Sequence, residues 1–222
     1  KISNVVNSIE VTNDEPIIGD ISLPDSIELK RRILDSFATQ NRAVTAKDYE
    51  ASAYSMPAQF GAIKRCRVVR DAGSLKRNLN MYIISENENS KLESSNDILK
   101  QNLKTWLGQN KMISDTIDIL DAKIINFAID YEAVGRSNIS KFEVLEEANS
   151  RLKKHFARLP EIGEAFWITD IYAILKEVEA IVDVTNVNIT LQIGGLHSNV
   201  HLDILQNTSA DGRYIEIPKN CI

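Results

Sequence analysis

The apolar residues of this chain change period along its length, from two to about 3.6 and back, and they do so twice. Leu79, Met81 and Ile83 alternate with Asn80 and Tyr82, and Leu99, Leu103, Trp106 and Leu107 then follow the spacing of a helical stripe. Ile125, Phe127, Ile129 and Tyr131 alternate again. After them Val144, Leu145, Ala148, Leu152, Phe156 and Leu159 resume helical spacing, and Ile171, Ile174, Leu175 and Val178 repeat it in a shorter helix. A period of two turns one face of a strand toward a core, whereas a period near 3.6 turns one stripe of a helix there. Strands and helices in the same neighbourhood therefore predict an α+β fold, with helices packed on one face of mainly antiparallel sheets. The expected architecture is two ferredoxin-like α/β units plus a C-terminal hairpin.

Local chemistry refines the boundaries. Asp25 offers an N-cap with Glu28 three residues on, and the helix it opens sets Ile27, Lys30, Leu34 and Phe37 along one face with Ile33 beside them. The polar junction NRAVTAKDYE, Asn41–Glu50, ends that helix and starts the next: the Thr45 hydroxyl can accept from the Asp48 N–H, and Asp48 adds negative charge at the helix start. Arg42, Thr45, Asp48 and Tyr49 are the residues expected to set this junction. Pro57 forces the second helix to end before it. Ala62–Arg70 and Leu79–Ser85 read as strands joined through Asp71–Asn78, and Ser85–Asn96 reads as a mobile loop with Ser94 or Ser95 capping the next helix. Ser140 with Glu143 forms a capping box, and Thr169 is expected to cap the short helix. In the long strand Ile181–Ile193, Val182 and Val184 are out of phase with Val187, Ile189 and Leu191, which calls for a β-bulge near Thr185–Asn186. Asn199–Leu205 and Arg213–Ile217 read as a hairpin closed by Asp211-Gly212. The predicted organisation is a connecting segment over 1–57, made of a strand and loop over Lys1–Pro24 and then two helices, one α/β unit over 58–120 and a second with the C-terminal hairpin over 121–222.

Composition narrows the function classes. With 222 residues, 43% of them hydrophobic, the chain can build a core without disulfides, and its two cysteines lack zinc-type spacing, so a reduced compartment is expected. No apolar run reaches membrane-spanning length, and the start shows neither a signal-peptide core nor an initiator methionine, as expected for a piece of a longer protein. A net charge of -5 speaks against nucleic-acid binding. His197 and His201 fall on a turn and a strand and are not expected to bind metal, and His155 lies on the polar face of a helix. Gly194-Gly195 lacks a phosphate-loop context and reads as a turn. No catalytic, cofactor or metal residue is predicted. Lys64, Arg65, Arg67, Arg70, Lys76 and Arg77 crowd together, while Glu161, Glu164, Asp170, Glu177, Glu179 and Asp183 bias the later part acidic. Opposite charges on separate surfaces would orient subunits, and raising salt would then slow assembly. Lys64, Arg65, Arg67 and Arg70, with Phe166 and Trp167 as an aromatic anchor, form the candidate interface.

NRAVTAKDYE followed by Tyr54 and Gly61-Ala62-Ile63 resembles the junction of baseplate J-like proteins, the wedge components of contractile phage tails. ILDAKIINFAIDYEAV, the capped helix with Leu152 and Phe156, and IGEAFWITDIYAILKEVEAIVDVTNVNI continue the family's order of strand, helix, "IGE" element, short helix and strand. The terminal NVHLDILQNTSADGRYIEIP is similar to the close of T-even-type members. This resemblance covers roughly Asp20–Pro218 and implies a non-enzymatic virion part in the tail baseplate, assembled in the host bacterial cytoplasm. It implies a homodimer that contacts other baseplate wedge proteins and no nucleic acid, membrane, cofactor or small-molecule substrate. It also implies an inner ring that rearranges when the sheath contracts. The alternative is a ferredoxin-like small-molecule-binding regulatory module.

Overall fold

The computed structural model describes residues 24–40, 42–71, 78–87, 91–195 and 197–222; most of the strand and loop expected over Lys1–Pro24, the turn between the first two strands with Lys76 and Arg77, and Asn41 lie outside them. The described chain is α+β. Helix α1, Ser26–Thr39, is followed by α2, Ala46–Tyr54, and a 3-10 turn at Ala58–Phe60. Strand β1, Arg65–Arg70, runs antiparallel to β2, Asn78–Glu86, in the register Arg65↔Ile84 to Arg70↔Leu79. Helix α3, Asp97–Asn110, then carries the chain across to β4, Thr116–Asp121, which pairs parallel with β2. Parallel neighbours require such a crossover, and α3 fills it by burying Leu99, Leu103 and Leu107 against Met81, Ile83 and Ile117. The described sheets are mainly antiparallel, as expected, with the pairing of β4 to β2 the parallel exception among the described strands.

The second half is built on a two-stranded ribbon. Strand β5, Phe127–Gly135, pairs antiparallel with β7, Ile181–Leu191. The register steps from Glu132↔Asn186 to Ala133↔Val184, so Thr185 is the extra residue of a bulge, and its Oγ1 donates to the Glu132 carbonyl at 3.1 Å. A bulge here puts both Val184 and Ile189 into the core despite their opposite phase. Helices α4, Lys141–His155, and α5, Ile168–Lys176, cover the ribbon with Val144, Ala148, Leu152, Ile171, Ile174 and Leu175. A third small cluster, Ile84, Ala122 and Ile162 with Ile222 against it, draws residues from both halves. There the chain's last residues run beside residues 123–125, and Gly163, at φ 72°, comes so close to Lys219 that a Cβ would sit 2.9 Å from its Cα.

Several local expectations give way. Ser85–Asn96 is not one loop: β3, Leu92–Glu93, pairs with Ser85 and Glu86. Ser85 and Ser95 bond to each other in the interior, so the cap of α3 falls to Asn96, whose side chain accepts from the Ile98 N–H. Neither α4 nor α5 has a side-chain cap bond, because Ser140 makes none and Trp167, not Thr169, occupies the cap position of α5. Asn199–Leu205 is not a strand. Asp203 caps a one-turn helix α6, Ile204–Asn207, and the arm facing β8, Tyr214–Ile215, is residues 207–209, closed through Gly212. β8 itself pairs with β6, Phe166–Trp167.

Candidate interaction surface

The junction builds a seal along one edge of the first sheet. Thr45 Oγ1 accepts from Asp48 N, and the Asp48 carboxylate accepts from the Val44 and Thr45 amides, so both ends of the turn are tied. Helix α2 so held faces β1 with Glu50 and Tyr54. β1 gives its other edge to β2, and on this edge the Cys66 N–H donates to Tyr54 Oη at 2.9 Å and the Val68 N–H to Glu50 Oε1 at 2.9 Å. Side chains of α2 thus satisfy edge amides that would otherwise invite another strand. Burial raises the Glu50 carboxyl above its ordinary value despite the Val68 N–H and Arg67, which pull it down. Burial likewise pushes the Tyr54 phenol and the Cys66 thiol well up, leaving Cys66 an inert thiol. Tyr49 points the other way. Its hydroxyl donates to buried Asp115 at 2.8 Å and accepts from Met112 N, locking α2 to the turn between α3 and β4. Arg42 stays exposed, and its backbone N–H closes on Thr39 O.

The described members of the basic run, Lys64, Arg65, Arg67 and Arg70, do not form one outward patch. Arg65 is 5% exposed; its guanidinium meets Glu28 Oε1 of α1 at 2.8 Å and the Leu159 carbonyl at 3.3 Å, with Glu161 Oε1 3.7 Å from Nε. Lys64 pairs with Glu86 at 2.8 Å, and Arg67 reaches the Ile162 carbonyl. Arg31 and Arg32 of α1 bind Glu161 and Glu28, and the Arg32 guanidinium also lies over the Tyr54 ring at 4.2 Å. Arg70, at the end of β1, is exposed. Lys64 and Arg65 thus find their counter-charges within the chain, in Glu86, Glu28 and Glu161, because a guanidinium buried in a strand requires its counter-charge beside it. Glu164, Glu177 and Asp183 pair with Arg158, Arg151 and Lys176 in the same way, at the exposed surface.

Phe166 and Trp167 occupy a different place. Phe166 stands edge-on to Phe127 at 4.5 Å and stacks on Phe156 at 5.5 Å, while Trp167 tilts against Tyr214 at 4.9 Å and remains 46% exposed. Phe127, Phe156, Phe166 and Trp167, with Ile129 and Leu152, line a groove of about 760 Å³ between the ribbon and the end of α4. Its rim carries Lys153 and Arg158 as well as Glu164 and Asp170. Phe127 and Phe156 belong to this cluster and escaped the sequence reading, which assigned them to core stripes of a strand and a helix. Among the described residues no group of three or more His, Cys, Asp or Glu could hold a metal ion, and no helix is long and apolar enough to cross a membrane.

No family model and no curated protein matches this sequence. Among solved structures, the fold is similar to a chain of the anti-feeding prophage (AFP) baseplate, determined by cryo-EM with 6-fold symmetrisation, at a TM-score of 0.53 and 12% identity. The match covers 76% of this chain but 38% of that one, so the likeness is one of fold, over less than half of the neighbour's length.

Proposed function

We propose that this chain is a structural subunit of a contractile-tail baseplate, of the baseplate J-like kind and equivalent to the C-terminal portion of the T-even wedge protein, gene product six. The observation that carries this reading is the fold likeness to a chain of the AFP baseplate over 76% of this chain. The ordered set of sequence elements from NRAVTAKDYE to the terminal segment adds to it. In this reading the protein dimerises, binds other wedge proteins and joins wedges into an inner ring in the virion tail, after assembly in the host bacterial cytoplasm. Residues 58–120 and 121–222 act as two α/β units and 1–57 as the connection to them, with Arg42, Thr45, Asp48 and Tyr49 setting the fold at the hinge. The groove beside Phe166 and Trp167 is then a seat for a wedge neighbour. Co-expression with the other wedge proteins tests this: co-purification as a stoichiometric complex is expected, and its absence under conditions where those proteins assemble among themselves contradicts the reading. The aromatic groove is also where a small-molecule regulator would sit. Stabilisation that grows with the concentration of a metabolite would favour that second reading.

A further inference from the structure

Helix α1 is amphipathic with its faces reversed. Glu28, Arg32, Asp35 and Thr39 are its half-buried residues, and none of its 14 residues is fully buried. Ile27, Ile33, Leu34 and Phe37 are 75, 58, 69 and 86% exposed, and Leu29 is 48% exposed. At about 100° of rotation per residue, the polar and apolar sets centre on opposite sides of the helix. α1 is thus held to the protein by its charges and turns a continuous apolar strip outward. Single exposed apolar side chains are ordinary, but a contiguous strip of five marks a contact surface.

We propose that the strip is covered by the same strip of a second copy, with the two α1 helices antiparallel about a two-fold axis between Ile33 and Leu34. The proposal rests on the homodimer reading above and gives it a surface. Charge selects the occupant and its register. Lys30 is the one charged residue inside the strip, and a parallel pair sets Lys30 against Lys30. The antiparallel register that sets Ile33 against Leu34 instead lays Lys30 over Phe37 of the second copy, stem on ring and ammonium toward the ring face. It separates the two Lys30 by seven residues of helical rise, about 10 Å, close to a Debye length at ordinary salt. Each helix N-terminus then lies beside the other's C-terminus, where the dipoles attract. Elsewhere on α1, Glu28 and Arg31 already have partners in the same chain, so they present no uncompensated charge to a second copy. One helix crossing buries less than the roughly 800 Å² per partner of a stable complex, so the dimer depends on concentration.

Equilibrium sedimentation of the wild type and of Leu34→Glu/Phe37→Glu, with melting temperatures and oxidative cross-linking of Leu34→Cys and Ile27→Cys, tests the proposal. The native thiols Cys66 and Cys221 are both buried and add little background. In the antiparallel register residue 34 lies one residue of rise from its counterpart and residue 27 about 20 Å from its own. The expected result is a wild-type dimer that forms as concentration rises and a double variant that stays monomeric at an unchanged melting temperature. Leu34→Cys should link at least about tenfold faster than Ile27→Cys, since cysteines far apart cannot bridge. A double variant that still dimerises overturns this surface and leaves the homodimer reading standing. A wild type that is monomeric at every concentration ends both. Equal cross-linking at 27 and 34 means a parallel pair and overturns the register. A double variant that is a monomer but melts several degrees lower assigns the cover of α1 to its own chain, which also overturns the proposal.

Discussion

Helices α1 and α2 follow one another across residues 40–45, yet they are attached to the protein by opposite means. α2 is short and buries Tyr49, Ala51 and Ala53, and its polar side chains Glu50 and Tyr54 do backbone work along β1. α1 is half as long again and buries nothing completely; Glu28 and Arg32 hold it to Arg65 and Tyr54, and Arg31 to Glu161. A hydrophobic stripe records that a helix has a partner, not which partner. For α2 the partner is the chain's own core, and for α1 we propose a second copy of the chain.

Substitutions separate the two modes of attachment. The largest effect is expected at Arg65: Arg65→Ala removes one of the two guanidinium partners of Glu28 together with the bond to the Leu159 carbonyl, and denaturant unfolding should show a loss of about 3 kcal/mol. Tyr49→Phe removes the hydroxyl between Asp115 and Met112 and should cost about 1–3 kcal/mol, read by the same measurement. Thr45→Ala deletes the cap of α2 and should cost about 1 kcal/mol while leaving the choice of assembly partners unchanged. Glu50 gives a smaller, pH-dependent effect. Its folded-state pKa is raised by burial, so its contribution is complete below the ordinary glutamate value and is lost as pH rises through the folded one. Glu50→Gln keeps an oxygen for the Val68 N–H; its melting temperature should match the wild type in acid and exceed it at neutral pH. On the outer face of α1, Leu34→Glu should change monomer stability by no more than about 0.5 kcal/mol. A large loss there would make α1 a core helix like α2.

What could be read from the sequence was what depends on neighbours in the chain. The Thr45–Asp48 cap, the Leu99–Leu103–Leu107 stripe and the bulge at Thr185 are set by residues within a turn or two of each other, and each is found where its chemistry places it. Strand β4 escaped because Ile117 and Ile119 supply only two alternations, and its parallel pairing with β2 depends on the path of the chain around α3. Ser94 and Ser95 have capping chemistry, but the interior bond of Ser95 to Ser85 left the position to Asn96. The contact surface was least legible. Arg65 looks like surface charge until Glu28, 37 residues away, and Leu159, 94 residues away, are brought to it. The stripe of α1 was visible, but which way it faces is decided by that same long-range network.

Hydrogen exchange followed at low and high protein concentration tests this contrast most directly, because it reports both helices in one sample. The amides of α1 should gain protection as concentration rises, while those of α2 stay unchanged. Protection of α1 that is independent of concentration, in a sample that nevertheless dimerises, would contradict the account.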